Sequence, residues 1–238
     1  MPFHDGGPVT SVEAVRMAAG IRPLAGGSPS WPGGASVVTA ARQGEPPAWL
    51  HARDLARAHG LTAARRTEWL QGRGVLQSAV SAWAREHGDR DVMPSDVRIG
   101  IGALGEPRLE APHDPAMSLS LAHGGDLVVG AAVGAEYRIG VDVERADRNV
   151  GSLSRMMLPS EQAMVAAGIP LLDLLVAKEA AAKAWQIGLG GSLQRWPVEY
   201  RSEEHLWVSG PDRVALPVKV DRMDGHVIGL CLARRTLG

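Results

Sequence analysis

Apolar and polar positions alternate in some stretches of the chain and recur every three to four residues in others, so the pattern predicts strands and helices. Short β-rich runs predict strands at residues 36–40, 97–101, 117–121, 127–133, 138–144, 205–208, 214–220 and 226–232. Helical periodicity predicts helices at residues 47–59, 62–87, 159–167 and 169–186, with Thr62 as an N-cap and Gly88 as a stop. The order is a strand, two helices and several strands, twice over.

This repeated order predicts an α+β fold built from two pseudo-symmetric α/β subdomains, residues 36–137 and 138–238, that arose by internal duplication. The seam between them is expected near Tyr137. The two halves share almost no identical residues, so the prediction rests on the order of the elements. Residues 1–35 are rich in glycine and proline, and we expect them to form a loosely ordered N-terminal extension.

Composition narrows the class of protein. The chain has 238 residues, with 25 Lys and Arg against 26 Asp and Glu, which gives a formal net charge of -1. That balance gives no support to the binding of nucleic acid or of an anionic membrane. Cys231 is the single cysteine, which excludes an internal disulfide framework. No apolar run reaches bilayer length and residues 1–10 lack a secretory pattern, so a soluble cytoplasmic protein is expected.

Residues 140–144 read Gly-Val-Asp-Val-Glu on a predicted strand. Asp142 and Glu144 are two apart and therefore project from the same face, while Val141 and Val143 face the core. Adjacent carboxylates are costly unless they are solvated or bound to a cation. Mg²⁺ usually takes one or two carboxylates and completes its shell with water and phosphate. Taken alone, the pentapeptide is better explained as an edge strand with a solvated face.

Residues 177–183 read Ala-Lys-Glu-Ala-Ala-Ala-Lys in a helix that is apolar on most sides. Glu179, Lys183 and Gln186 form a narrow polar seam at i, i+4 and i+7, which would face a cleft if the helix is central. A buried Glu179 beside Lys178 and Lys183 would suit a metal ion and a phosphate. The alternative is a solvent-facing Glu–Lys pair, which stabilises a helix by about 0.2–0.5 kcal/mol.

Two further positions are candidates for ligand contact. His123 ends a strand and begins a turn, where a purely local hydrogen-bonding role is the commoner alternative. Arg73 lies between Gly72 and Gly74 inside a long helix, and each glycine costs about 1 kcal/mol relative to alanine there. The two glycines indicate close approach by a neighbour or a ligand, and a tight helix crossing with a surface arginine explains them equally well.

Together these segments resemble the 4′-phosphopantetheinyl transferases. Gly-Val-Asp-Val-Glu at 140–144, followed by Lys-Glu-x-x-x-Lys at 178–183, is similar to the two-part signature of that superfamily. The strand that ends in His123 resembles a Ser-His turn of its long, surfactin-synthetase-activating type. Residues 65–73, Arg-Arg-Thr-Glu-Trp-Leu-Gln-Gly-Arg, resemble the N-terminal helix motif of that type. The resemblance covers about residues 36–198.

The resemblance implies an enzyme that moves the 4′-phosphopantetheine arm of coenzyme A to a serine of an apo acyl or peptidyl carrier protein. Adenosine 3′,5′-bisphosphate is released, and Mg²⁺ is the cofactor. Three acids would bind Mg²⁺, namely Asp142, Glu144 and Glu179. Glu179 would also deprotonate the carrier serine. One chain would supply both halves of the site, so a monomer is expected.

Basic side chains would bind the phosphates of coenzyme A in such an enzyme. Lys183 and Lys178 would stabilise charge on the reacting phosphates, and His123 would donate to the pyrophosphate. Arg73 would bind the 3′-phosphate through its guanidinium group. Arg66 and Arg53 are further phosphate candidates. The methionines of residues 156–158 lie in the segment that contacts carrier proteins in this family, and core packing explains them about equally well.

Three positions leave alternatives open. Ala122 replaces a serine that usually contacts phosphate, and Glu106 stands in a loop where a basic residue is usual, although Arg108 could compensate. Glu161 matches a family acid, but a first-turn glutamate favourable to the helix dipole is the preferred explanation. The alternative functions are a relative that binds carrier protein or coenzyme A without turnover, and a metal-dependent phosphohydrolase.

Overall fold

Strands and helices follow one another in two blocks of the chain. The computed structural model describes residues 22–23, 35–41, 46–87, 92–112, 116–202 and 205–235. The first block comprises β1 (Arg22–Pro23), β2 (Ser36–Ala41), α1 (Ala52–His59), α2 (Ala63–His87), β3 (Arg98–Ile101), β4 (Pro107–Ala111), β5 (Met117–Gly124) and β6 (Leu127–Gly134). The second comprises β7 (Tyr137–Arg145), α3 (Pro159–Ala166), α4 (Leu171–Ala184), β8 (Val198–Ser202), β9 (His205–Ser209), β10 (Ala215–Met223) and β11 (His226–Arg234). Short 3₁₀ helices lie at Pro94–Asp96, Gly151–Met156 and Leu193–Arg195.

The strands form three antiparallel sheets in the described part of the chain. One sheet has the order β1-β2-β6-β5, another has the order β7-β11-β10-β9-β8, and β3 pairs with β4 alone. Helix α2 packs on the four-stranded sheet, and helix α4 packs on the five-stranded sheet. The mixed α+β class predicted from the sequence is therefore confirmed.

Apolar side chains fill three layers between these elements. On β2, Val38 faces α2 while its neighbour Val37 faces the other large sheet, as the alternation of a strand requires. On the five-stranded sheet, Val141 packs toward β6, and Val218 packs under α4. The order of layers is thus helix, sheet, sheet, helix. Because the central strands are covered on both faces, β6 and β11 are apolar along most of their length.

Helix α4 lies directly on strand β7, and Gly140 makes this possible. A Cβ atom at this position would overlap the carbonyl oxygen of Ala180 and the amide nitrogen of Ala184, which are both backbone atoms of α4. Glycine lets the helix backbone approach the strand at this point. The acids that follow on β7 are therefore held close to the helix that carries Glu179.

The two large sheets meet where β5 lies beside β7. These strands belong to different sheets, and serine side chains of β5 connect them. Ser118 donates its hydroxyl to the carbonyl of Tyr137 at 2.6 Å, and the amide of Val141 donates to the Ser120 hydroxyl at 3.0 Å. Farther along, Gly124 lies against the backbone of Val143. The end of β5 therefore lies beside the strand that carries the acids.

Several element boundaries differ from those predicted. The helix expected at residues 47–59 begins only at Ala52, because the chain makes a turn in which the amide of Leu50 donates to the carbonyl of Pro47. The helix expected at 169–186 spans Leu171–Ala184, and Gln186 has a left-handed backbone with φ 59°. Strands β4 and β8 were not predicted. Both are short, partly charged edge strands without a clear apolar alternation.

The predicted extension at residues 1–35 lies outside the described residues, except at residues 22–23 and 35. At 22–23 the chain pairs with Val38 and Thr39 at the edge of the first sheet. Gly88, the predicted helix stop, also lies outside the described residues. Each half places a long helix on an antiparallel sheet, but strand numbers and orders differ, so internal duplication stays a prediction. Within the described residues, no helix has both the length and the apolar character needed to span a membrane.

Candidate active site

Three carboxylates line one small cavity at the contact between β7 and α4. Asp142 and Glu144 come from the strand, Glu179 comes from the helix, and the cavity measures about 50 Å³. The strand alternation explains the first two, because Val141 and Val143 are buried in the layer between the sheets. Apolar side chains complete the walls, namely Leu153, Leu175, Val176 and Leu193. The structure thus brings together the three acids that the sequence singled out.

The acids are buried more deeply than their charge would favour. Asp142 is only 5% exposed. Its Oδ1 accepts a hydrogen bond from the Lys183 ammonium at 2.8 Å, and its Oδ2 is buried without a hydrogen-bond partner among the described residues. Burial raises the pKa of Asp142 above its ordinary value, and the Lys183 charge opposes that rise. A buried carboxylate oxygen without a donor is a costly arrangement unless a cation or a proton reaches it.

The other two acids share this electrostatic environment. Burial raises the pKa of Glu179, and the negative charge of Asp142 raises it further. Burial also raises the pKa of Glu144, whose carboxylate is paired with the guanidinium of Arg148. Each of the three carboxyl groups therefore binds a proton more tightly than a solvated carboxyl group does. The reason is that the cavity brings negative charges together where little water can solvate them.

The donor set fits a hard divalent cation such as Mg²⁺. The unpartnered Oδ2 of Asp142 and the two glutamates offer the oxygen ligands that this ion prefers. Among the described residues, however, no group of three or more His, Cys, Asp or Glu side chains is arranged as a ready-made metal cage. Instead, Lys183 forms an ion pair with Asp142, and Arg148 forms an ion pair with Glu144. The acids therefore fit an ion that takes few protein ligands and completes its shell with water or phosphate.

The two lysines of the helix motif have different positions. The side chain of Lys183 is 31% exposed and contacts Asp142, one of the acids of the cavity. Lys178 does not reach this cavity. It is fully buried and donates to Glu161 at 2.6 Å and to the carbonyl of Leu193 at 2.8 Å. The expected contact of Lys178 with phosphate is therefore not supported by its position.

A larger cleft of about 790 Å³ lies at the end of β5. It is bounded by α2, the loop between β3 and β4, and the end of β5. His123 lines this cleft, and its Nδ1 lies 3.9 Å from Oε1 of Glu68. Its lining includes the basic residues Arg57, Arg65, Arg73 and His123 and one acid, Glu68. A volume of this size and a positive lining fit an organic anion such as a nucleotide.

Arg73 borders the cleft but has its main contacts inside the protein. Its Nη1 donates to the carbonyl of Ile99 at 2.8 Å, its Nε lies 3.6 Å from Oδ1 of Asp54, and its guanidinium lies 4.2 Å from the centre of the Trp69 ring. Burial lowers the pKa of Arg73, and Asp54 opposes that shift. Arg73 is therefore a buried arginine that fastens strand β3 to helix α2, which rules out the surface arginine of the alternative explanation. Its expected contact with a 3′-phosphate stays a prediction.

The glycines beside Arg73 serve packing between neighbouring elements. A Cβ at Gly72 would lie 3.0 Å from a methyl of Leu121 and 3.2 Å from Nε2 of His123. A Cβ at Gly74 would overlap the ring of Pro47. Close approach by a neighbour, one of the two explanations left open by the sequence, accounts for both glycines. The imidazole of His123 thereby rests on the backbone of α2.

Two expected phosphate ligands do not line the cleft. Arg66 donates to the carbonyls of Ala58 and His59, both at 3.1 Å, and so closes the end of α1. Arg53 pairs with Glu110 on an exposed surface. For Arg66 the helix position explains this, because it follows Arg65, which lines the cleft, and a side chain one residue farther along a helix points in a different direction.

Four charged or aromatic residues of the cleft had no site role predicted from the sequence. Arg57 lies near the end of α1, and Arg65, Glu68 and Trp69 come from the first turns of α2. Arg65, Glu68, Trp69 and Gly72 follow at i, i+3, i+4 and i+7. That helical spacing is the signal that could have identified them, because it places them on one face.

The departures from the family pattern have structural explanations. Ala122 is buried between the two sheets, so a serine there would not face the cleft that His123 lines. The carboxylate of Glu106 accepts hydrogen bonds from the amide of Leu104 at 3.0 Å and from Arg108 at 2.8 Å. Its charge is thus paired within its own loop.

In comparisons with known proteins, no protein-family model matches the chain and no curated protein matches it.

Proposed function

We propose that the chain transfers the 4′-phosphopantetheine arm of coenzyme A to a serine of an apo acyl or peptidyl carrier protein, with Mg²⁺ as cofactor. One observation carries the proposal: Gly124, which follows the cleft residue His123, lies against the backbone of Val143 between Asp142 and Glu144, so the basic cleft and the acid cavity adjoin the same strand contact. A diphosphate ester needs both features, since its reacting phosphates require cationic neutralisation and its nucleotide requires a pocket. The resemblance to the transferase signature adds the substrate class.

Residues of the acid cavity have distinct parts in this reaction. Asp142, Glu144 and Glu179 would hold the cation, which when bound supplies charge neutralisation at the pyrophosphate. Lys183 would stabilise the negative charge that develops on the phosphate oxygens. Glu179 would accept the serine proton, and its raised pKa suits that role because a stronger base acts closer to neutral pH.

The bond changes follow from this arrangement. The serine oxygen attacks the phosphorus that bears the pantetheine arm, and its proton passes to the Glu179 carboxylate. The bond from that phosphorus to the bridging oxygen breaks, and adenosine 3′,5′-bisphosphate leaves with the bonding electron pair. In the cleft, Arg57, Arg65 and His123 would bind the phosphates of the coenzyme.

The carrier protein would bind near the 3₁₀ helix Gly151–Met156. Met156 is 43% exposed there, and Arg155 lines a neighbouring groove of about 380 Å³. Met157 is only 2% exposed and packs in the core around α4. Core packing therefore accounts for Met157, whereas Met156 is available to a partner. Because one chain provides both the acid cavity and the cleft, we also propose that the protein is a monomer. We further propose that it is cytoplasmic and that it arose by duplication of a helix-on-sheet unit.

A mass-shift assay tests the proposal. The chain is incubated with coenzyme A, Mg²⁺ and a panel of apo carrier proteins, and the carrier serine should gain the mass of the phosphopantetheine arm. Asp142→Asn should abolish the gain. Asp147→Asn is the matched control, because that aspartate is exposed and pairs with Arg145 outside the cavity. Folded wild-type protein that modifies no carrier in the panel would refute the proposal.

A binding protein without turnover is the second candidate. It is favoured by the pairing of Lys183 with Asp142 and of Arg148 with Glu144, which leaves the acids partly neutralised by the chain itself. Calorimetry that detects coenzyme A binding, together with no transfer at any Mg²⁺ concentration, would select this candidate. Phosphate release from coenzyme A in the absence of a carrier would instead indicate a phosphohydrolase.

A further inference from the structure

A fully buried ion pair joins helix α3 to helix α4. Neither Glu161 nor Lys178 exposes any side-chain surface, and the ammonium donates to Oε1 of the glutamate at 2.6 Å. Burial lowers the pKa of Lys178, and the Glu161 carboxylate opposes that shift. Burying two charges is expensive, and an apolar pair is often at least as stable, so stability alone does not account for this arrangement.

The pair is the meeting point of four segments. Glu161 accepts the amide of Leu158 at 3.0 Å, which caps α3, and the amide of Val198 at 2.9 Å, where β8 begins. Lys178 also donates to the carbonyl of Leu193 at 2.8 Å. The ammonium has a second acceptor, and each carboxylate oxygen has a hydrogen-bond donor. The charged groups of the pair therefore have hydrogen-bond partners within the protein. Through these bonds the pair fixes the relative positions of α3, α4, the 3₁₀ helix Leu193–Arg195 and β8.

Two of the fixed points adjoin the acid cavity. Lys178 directly precedes Glu179, which lines the cavity, and Leu193 is itself a lining residue. Leu193 lies in residues 185–197, which connect α4 to β8. Gly188, Gly190 and Gly191 in this connection have left-handed φ values of 61°, 60° and 73°. The Lys178 ammonium thus anchors a connection whose first half is built of turns.

We infer that Lys178 and Glu161 are positioning residues of the acid cavity. They hold Leu193 and the helix turn of Glu179 in place, and neither contacts substrate. The inference rests on the proposed function for its catalytic readout. It differs from the phosphate contact that the sequence suggested for Lys178, because the ammonium would have to leave Glu161 and the core to reach a phosphate.

Three measurements on Lys178→Met test the inference. Hydrogen exchange should accelerate at least tenfold over residues 186–196 and remain unchanged in α2, because the anchor of the connection is lost. Mn²⁺, used as a substitute for Mg²⁺, should bind several-fold more weakly by calorimetry. In the transfer assay kcat should fall at least tenfold while KM for coenzyme A stays within about twofold, since positioning affects the reacting groups more than the cleft.

Two controls keep the test decisive. The double variant Lys178→Met with Glu161→Leu replaces the pair by apolar groups and provides a folded protein if the single variant fails to fold. It should show the same loss of Mn²⁺ affinity. Lys219→Met removes a partly exposed lysine of β10 and should change none of the three measurements.

Three results would overturn the inference. They are unchanged exchange over residues 186–196, a wild-type chain that binds no Mn²⁺, or a tenfold rise in KM for coenzyme A with kcat preserved, which would mean that Lys178 binds the substrate. Absence of transfer by the wild-type chain would count against the proposed function alone. In that case the exchange and Mn²⁺ measurements still decide the positioning role.

Discussion

Substitution of Gly140 by alanine should disturb the acid cavity without touching any acid. This glycine shares the face of β7 with Asp142 and Glu144, and it lies against the backbone of α4. A Cβ added there would lie well inside the 3.0 Å limit that real Cβ atoms observe, against the carbonyl oxygen of Ala180 and the amide nitrogen of Ala184. Because backbone atoms of a packed helix cannot rotate away, α4 has to move as a unit.

The size of the effect follows from that displacement. Overpacking a core typically lowers the unfolding free energy by about 1–3 kcal/mol. Because the added methyl group collides with backbone atoms, we expect Gly140→Ala to lose about 3 kcal/mol, at the upper end of this range. The helix carries Glu179 and Lys183, so both would shift by about 1 Å relative to Asp142, a misplacement that can lower a rate about 10²-fold. The stability loss and the loss of transfer should therefore occur together.

Urea unfolding and the transfer assay measure the two effects. Gly60→Ala is the matched control, because a Cβ there meets no atom of the described residues within 4 Å and its φ of -81° suits alanine. That variant should change the unfolding free energy by less than about 0.5 kcal/mol. If Gly140→Ala is as stable and as active as Gly60→Ala, the close contact between β7 and α4 is not what positions the site.

Three other predictions separate roles that the sequence could not. Asp142 and Glu179 have pKa values raised above the ordinary 3.8 and 4.5, so the folded state holds more protons than the unfolded chain just above these values, and its unfolding free energy falls as the pH rises through that range. Asp142→Asn and Glu179→Gln should reduce this fall and be more stable than wild type near pH 7 in urea titrations; equal or lower stability there would contradict the burial argument. Arg65→Ala should weaken coenzyme A binding about tenfold by calorimetry, whereas Arg66→Ala should leave it unchanged and cost about 1 kcal/mol of stability; the reverse result would exchange their roles. Ala122→Ser should lower stability by about 1–3 kcal/mol without raising coenzyme affinity, since its hydroxyl would enter the core between the sheets; tighter binding would show that this position faces the ligand.

Local pattern was enough to predict the elements with strong periodicity. The long helix α2 and the strand with Asp142 and Glu144 were placed within about one residue, because their apolar spacing reflects real burial. Strand β8 was missed, since it is a short edge strand whose Glu199 and Arg201 are exposed. Edge strands bury little and leave a weak pattern.

The sequence could predict the candidate site only where the relevant side chains lie on the same helix or strand. The i, i+4 spacing placed Lys183 with Glu179, but nothing local showed that Lys178 would meet Glu161, 17 residues earlier in the chain. Likewise the sequence marks Arg73 as unusual, yet its partners come from separate segments, Asp54 on α1 and Ile99 on β3. Tertiary partners of long side chains are decided by the packing of distant elements, which a single sequence does not reveal.

The serine bridges between β5 and β7 have a thermodynamic consequence. Ser118 and Ser120 connect two separately cored halves with individual hydrogen bonds, so each half depends on the other mainly through the apolar layer between them. A molecule that reached from the basic cleft to the acids would bind only when both halves are folded. Its presence would couple them, and calorimetric melting would sharpen toward a single cooperative transition as its concentration rises.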